Sequence, residues 1–155
     1  VVGKNVGRIL REVERLNRMV TALLDYGRPS APRLTPGDPD AVWDDVLDGA
    51  RGRLEAGRLA LARTRADPGG AGDAGQWLID AEQLGQVFLN LLVNAADAAP
   101  PGSTLTLASA VLPNGAWRCR LHNAGPAIPP EVLARVFEIF YSTKPGGTGI
   151  GLALC

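Results

Sequence analysis

The chain has 155 residues, 46% apolar and 21% charged, enough for one domain with its own core and a short appendage. Its 16 basic and 16 acidic side chains cancel, so the charge balance points neither to nucleic acid nor to a membrane surface. No apolar run approaches the roughly 20 residues that span a bilayer. Two cysteines, Cys119 and Cys155, are too few for a disulfide framework or a metal site, and no secretory leader is evident. The expected compartment is the cytoplasm.

Near the N-terminus, Val2, Val6, Ile9, Val13, Leu16, Val20 and Leu23 follow at spacings of 4, 3, 4, 3, 4 and 3, which is a heptad repeat. Leu10, Met19 and Leu24 widen the stripe beyond a two-stranded seam and suit a four-helix bundle. Glu14 and Arg18 form a favourable i,i+4 pair, and Gly27 followed by Pro29 ends the helix. A long amphipathic helix over 1–27 is expected to pack on a partner helix; packing on its own domain is the alternative. Residues 28–37, rich in Pro and Gly, read as a linker with a short extended piece around Leu34.

The rest, 38–155, reads as one domain. Asp38 is a good N-cap with Pro39 at the first helical position, which predicts a helix over Pro39–Leu54. A strand over Arg58–Arg65, a loop over Asp67–Gly75 and a strand over Trp77–Ile79 follow. Asp80 with Gln83 three residues on starts a helix over Ala81–Ala98, which Pro100-Pro101-Gly102 stops. Strands over Thr104–Leu112 and Trp117–His122 flank a turn at Pro113-Asn114-Gly115. A short helix over Pro130–Val136 and another beginning at Gly149 complete the chain. Alternating elements with one tight hairpin predict an α+β fold: a two-layer sandwich, a mixed sheet covered by helices on one face.

Three segments carry residues suited to chemistry. In QVFLNLLVNAADAA, Asn90 and Asn94 lie four apart on one helical face. Amides on an otherwise apolar helix are costly to bury without partners, and a carboxamide oxygen is a hard ligand suited to Mg²⁺. In HNAGPAIPPEVL a strand ends at Asn123, and Gly125 permits close approach of a ligand. In KPGGTGIGLAL, glycines at 146, 147, 149 and 151 precede an apolar stretch, a natural cradle for phosphate. Each signal is weak alone, and the last lacks the spacing of a P-loop.

Together, in this order, NLLVNAADAA, NAGPAI, FEIFYSTK and GTGIGLAL resemble the asparagine, first glycine, phenylalanine and second glycine boxes of sensor histidine kinases. These belong to the ATPase superfamily shared with gyrase, mismatch-repair and chaperone ATPases, and DAEQLGQVFLNLL and LLDYGRP are similar to nitrogen-regulation-type kinases. The resemblance covers essentially the whole chain. It implies a Bergerat-type ATP-binding fold preceded by the second helix of the dimerisation hairpin. It also implies a protein histidine kinase that transfers the ATP γ-phosphate to a histidine on the first hairpin helix. By resemblance, Asn94 binds the Mg²⁺ bridging the ATP phosphates with Asn90 nearby, and Asn123 faces the adenine amino group. Gly125, Ala127 and Ile128 shape the adenine pocket, residues 141–148 form a lid, and Lys144 contacts phosphate. Gly147, Thr148, Gly149, Ile150, Gly151 and Leu152 line the phosphates. Implied partners are a response-regulator receiver domain and a second copy through the completed hairpin, with no nucleic acid and with any membrane anchor supplied upstream.

Two departures stand out. Asn123 and Ala127 occupy positions where the family pattern has Asp and Gly, which predicts weaker or less selective ATP binding. The family also continues with closing strands, so the domain is expected to be truncated at Cys155. His122, the single histidine, reads as a strand-end residue, so the chain alone is not expected to autophosphorylate. The alternative is a non-catalytic ATP-sensing dimer module. An ATPase of the gyrase or chaperone branch is disfavoured, because those enzymes carry a general-base Glu where this chain has Asn90.

Overall fold

The computed structural model describes residues 31–66, 77–144 and 147–155, together with positions 6, 7, 10, 13, 16 and 20. The chain divides into two compact units, Pro32–Ile128 and Val1–Ala31 with Pro129–Cys155. Those six N-terminal positions are helical, and Val6, Leu10, Val13, Leu16 and Val20 are each about half exposed. The remainder of the expected 1–27 helix, its stop at Gly27 and the expected loop over 67–75 lie outside the described residues.

In Pro32–Ile128 the order is β1 (Thr35–Gly37), α1 (Pro39–Ala56), β2 (Ala60–Ala66), β3 (Trp77–Ile79), α2 (Ala81–Ala98), β4 (Thr104–Val111) and β5 (Trp117–His122). The sheet β2-β4-β5 is mixed: β4 runs parallel to β2, with Leu61 opposite Leu105, and antiparallel to β5, with Leu107 opposite Leu121. Alternation puts Leu105, Leu107 and Ser109 on the helix-facing side and Thr104 and Thr106 on the exposed side. Val42, Trp43, Ala50 and Leu54 of α1 and Phe88, Leu92 and Ala95 of α2 close over that side. The Trp43 and Phe88 rings stack with centroids 4.2 Å apart. The expected α+β sandwich, helices covering one face of a mixed sheet, is the observed architecture.

Several details correct the sequence reading. The extended piece expected around Leu34 lies one residue on, and it pairs with β3 in a separate two-stranded sheet, Thr35 opposite Ile79. The first helix runs past Leu54 to Ala56, and β2 starts at Ala60 instead of Arg58. Arg58 adopts a left-handed backbone, φ 53°, and closes the helix: its N–H donates to the Glu55 carbonyl, and that of Leu59 to Leu54. This is a Schellman end in which arginine fills the position that usually favours glycine. The β4–β5 turn is as expected, with Gly115 at φ 80° and the Leu112 N–H donating to the Ala116 carbonyl at 2.7 Å.

Beneath the start of α1 lies a polar group that periodicity does not announce. Asp40 accepts hydrogen bonds from Ser109 Oγ at 2.7 Å, Trp117 Nε1 at 3.0 Å and Arg63 at 3.1 Å. Arg63 and Arg65 of β2 also pair with Asp44 one turn on. Burial alone would raise the Asp40 carboxyl, but these hydrogen bonds and the charge of Arg65 outweigh it and hold the group below its ordinary 3.8. The cluster pins the first turn of α1 to all three strands.

In Pro129–Cys155 the helix α3 spans Pro130–Leu133, shorter than the expected Pro130–Val136, and turns follow it. Instead of the helix expected from Gly149, a single 3₁₀ turn forms over Leu152–Leu154.

Candidate functional site

The amide-bearing face of α2 is built by helix spacing. Asp80 caps the helix by accepting the Gln83 N–H at 3.1 Å, and Phe88, Leu92 and Ala95 anchor the opposite side in the core. Asn90, Asn94 and Ala98 therefore rise on one face at intervals of four, and both amides remain partly exposed. Gln86 donates to the Asn90 amide oxygen at 3.4 Å.

The end of β5 meets this helix at its C-terminus. A Cβ built on Gly125 would lie 2.8 Å from the Ala98 carbonyl oxygen and 2.6 Å from Asn123 Nδ2. Only glycine lets the chain pass there, which is the physical reason for glycine two residues after Asn123. The Gly125 N–H donates to the Asn123 carbonyl at 3.1 Å, a tight turn that leaves the Asn123 side chain partly exposed. Ala127 and Ile128 are exposed beyond it, Ile128 at 56%. Within this unit, then, Asn90 and Asn94 share a face, and Asn123 and Gly125 approach the same helix's end.

The remaining candidates lie in the other unit. The Phe140 N–H donates to the Gly149 carbonyl at 2.9 Å, so the two ends of 141–148 are tied together. Phe140 and Gly149 both have φ of 66°. A Cβ on Gly149 would press on the Tyr141 backbone at 2.6 Å, so glycine is required at 149. Inside the tied segment Ser142 Oγ accepts the Lys144 N–H at 3.2 Å, and the Gly147 N–H donates to the Lys144 carbonyl at 3.0 Å. Lys144 is exposed, Thr148, Gly149, Gly151 and Leu152 are partly buried, and Ile150 is 1% exposed. Residues 145 and 146 of the expected lid lie outside the described residues.

Sequence reasoning missed the Ala98 carbonyl, a backbone group with no residue signature. It also missed Ser142, whose place two residues before Lys144 is a typical Ser/Thr turn signal. Among the described residues no group of three His, Cys, Asp or Glu could hold a metal ion. A cation here would be held mainly by phosphate and water, with one carboxamide oxygen, and Asn94 fits that demand. No helix of the described residues is long and apolar enough to cross a membrane.

Residues 79–155 match the family described as histidine kinase-, DNA gyrase B-, and HSP90-like ATPase. The chain is 32% identical over 160 residues to the sensory histidine kinase/phosphatase NtrB of Rhodobacter capsulatus, covering 94% of this chain and 43% of that protein. Among solved structures it resembles the mycobacterial sensor histidine kinase MprB, with a TM-score of 0.65 and 30% identity over 78% of this chain and 74% of that one. Full-length ShkA in complex with AMPPNP superposes with a TM-score of 0.79 and 26% identity over 99% of this chain and 33% of that one. The chain belongs to this ATPase family, as the ATP-binding catalytic domain of its sensor histidine kinase branch. It spans less than half the length of the curated relatives it matches, 30% of one and 29% of another.

Proposed function

We propose that this chain binds MgATP and presents the γ-phosphate to a histidine carried on another helix of its own hairpin. The observation that carries this reading is the joint at Gly125, where the glycine-only turn after Asn123 meets the helix bearing Asn90 and Asn94. In this reading Asn94 is the protein ligand of Mg²⁺, Asn90 lies beside it, and Asn123 accepts a hydrogen bond from the adenine amino group. Gly125, Ala127 and Ile128 shape the base pocket. Lys144 and the backbone of Gly147, Thr148, Gly149, Ile150, Gly151 and Leu152 serve the phosphates, and 141–148 act as a lid.

Phosphoryl transfer demands positioning and charge neutralisation more than covalent help from the protein. Bound Mg²⁺ neutralises phosphate charge, and the chain's own residues orient the nucleotide and exclude water. Asn90 is an amide that takes no proton, so the site has no base there to activate water, and transfer to an imidazole is favoured over hydrolysis. The half-exposed stripe Val6, Leu10, Val13, Leu16 and Val20 supports reading 1–27 as the second hairpin helix, 28–37 as a linker and 38–155 as the ATP-binding domain. A homodimer through the completed hairpin, a receiver domain as the next phosphate acceptor and a cytoplasmic location belong to the same proposal.

Titration with a fluorescent ATP analogue, with and without Mg²⁺, tests it. Saturable, Mg²⁺-dependent binding that Asn94→Ala abolishes is expected. Binding that ignores both Mg²⁺ and the substitution would remove Asn94 from the metal role. No binding at all would overturn the proposal and point to a site that Asn123 or Ala127 has disabled.

A further inference from the structure

The segment that enters the domain is fastened to the asparagine helix before that helix begins. β1 pairs along its whole length with β3, and β3 leads directly into Asp80, the N-cap of α2. One Asp80 carboxylate oxygen accepts the Gln83 N–H at 3.1 Å, inside the first turn. The other accepts the N–H of Arg33 at 2.7 Å, from 47 residues earlier. The fit of the strand is close: a Cβ on Gly37 would stand 3.0 Å from the Ile79 side chain. A carboxylate offers two acceptor oxygens and no donor, so it holds both amides at once. An amide of the same shape would turn a donor toward one of them.

We infer that Asp80 is a positioning residue, joining residues 31–37 to the first turn of α2 so that displacement of that segment resets Asn90 and Asn94. The inference rests on the nucleotide role proposed for those two amides. Asn94 lies 14 residues beyond Asp80, about 20 Å along a helix that behaves as a rod. Phe88 and Leu92, 3% and 0% exposed, form a fulcrum between them. A tilt at the start of α2 is therefore felt at the amide face. Coupling between two sites is reciprocal, so a ligand held on that face tightens the hold of Asp80 on Arg33.

Two substitutions separate this joint from ordinary helix capping. Arg33→Pro deletes the donating N–H without touching Asp80. Asp80→Asn keeps a cap of equal quality while offering Arg33 a donor in place of an acceptor. In the nucleotide-free chain, residue-resolved hydrogen exchange at Gln83 should quicken about fivefold in Arg33→Pro, the low end of coupling between sites. Both variants should bind the ATP analogue about fivefold more weakly while unfolding at nearly the same temperature. Asp80→Ala, which also loses the cap, should lower that temperature as well. Unchanged exchange at Gln83 in Arg33→Pro overturns the joint. Quickened exchange with undiminished affinity, in a chain whose parent binds the analogue, overturns the positioning role. A parent chain that binds no analogue overturns the proposed function instead, and exchange alone then decides whether the joint exists.

Discussion

Trp43, Leu92, Leu105 and Leu107, in residues 32–128, are sealed from water around one core, each no more than 1% exposed. Between 129 and 155 only Ile150 among the described residues is so buried, while Leu133, Phe137 and Phe140 are each more than half exposed. The first region owes its shape to apolar burial between two helices and a sheet. The second owes it to backbone hydrogen bonds such as Phe140 to Gly149 and to left-handed residues at both ends of the tied segment. Burial resists local opening, whereas a segment with few apolar contacts opens at low cost. Asn90, Asn94 and Asn123 thus sit in the region held by apolar burial, whereas Lys144 and Gly147, Gly149 and Gly151 sit in the region held mainly by backbone hydrogen bonds.

The contrast is testable in order of expected effect. Trp43→Ala removes a fully buried ring stacked on Phe88 and should cost about 3–5 kcal/mol in urea unfolding followed by circular dichroism. A loss below about 1 kcal/mol would mean that the core is not what holds residues 32–128. Gly149→Ala forces a side chain onto φ 66° against the Tyr141 backbone and should cost about 1–2 kcal/mol, read as faster exchange at the Phe140 amide. Urea unfolding of the helix–sheet region should stay unchanged; a parallel loss there would erase the distinction between the regions. Asn123→Asp should tighten binding of the ATP analogue about fivefold, since a charged acceptor would strengthen the hydrogen bond proposed between residue 123 and the adenine amino group. Equal or weaker binding would take residue 123 out of the base pocket.

The smallest effect concerns pH and again separates the regions. A carboxyl held below its ordinary 3.8, as Asp40 is, contributes stability that is full above that value and fades as pH falls through its folded value. Stability of the helix–sheet region should stay level from neutrality downward and begin to fall near pH ~4. Asp40→Asn should lower stability at neutral pH and flatten the acid limb. An acid limb that keeps its full slope in Asp40→Asn would assign it to other carboxylates.

Most elements were legible because their signals are local. Asp38-Pro39 and Asp80 with Gln83 start helices through the N–H groups just after them, and Asn114-Gly115 sets the hairpin through one left-handed residue. Spacing by four on a helix is enough to place Asn90 and Asn94 together. The exit from α1 was misread because the left-handed position falls on Arg58, one residue beyond the Gly57 that ordinarily marks it.

What the sequence by itself determined, then, was the two long helices beginning at Pro39 and Ala81, most strands, the pairing of two amides on one face and the glycines that phosphate chemistry favours. Each depends on neighbours within about four residues, where sterics and periodicity leave few options. Only the tertiary structure decided that β1 leaves the main sheet to pair with β3, and that Asp40 is the hub linking α1 to three strands. It alone decided that the turn at Gly125 closes on Ala98, and that Asp80 serves Arg33 as well as its own helix. Those contacts join residues 23 to 77 positions apart; the Asp40 and Asp80 ones satisfy shared polar groups and the Gly125 one is a close approach of backbone, and no local pattern specifies the partners of either.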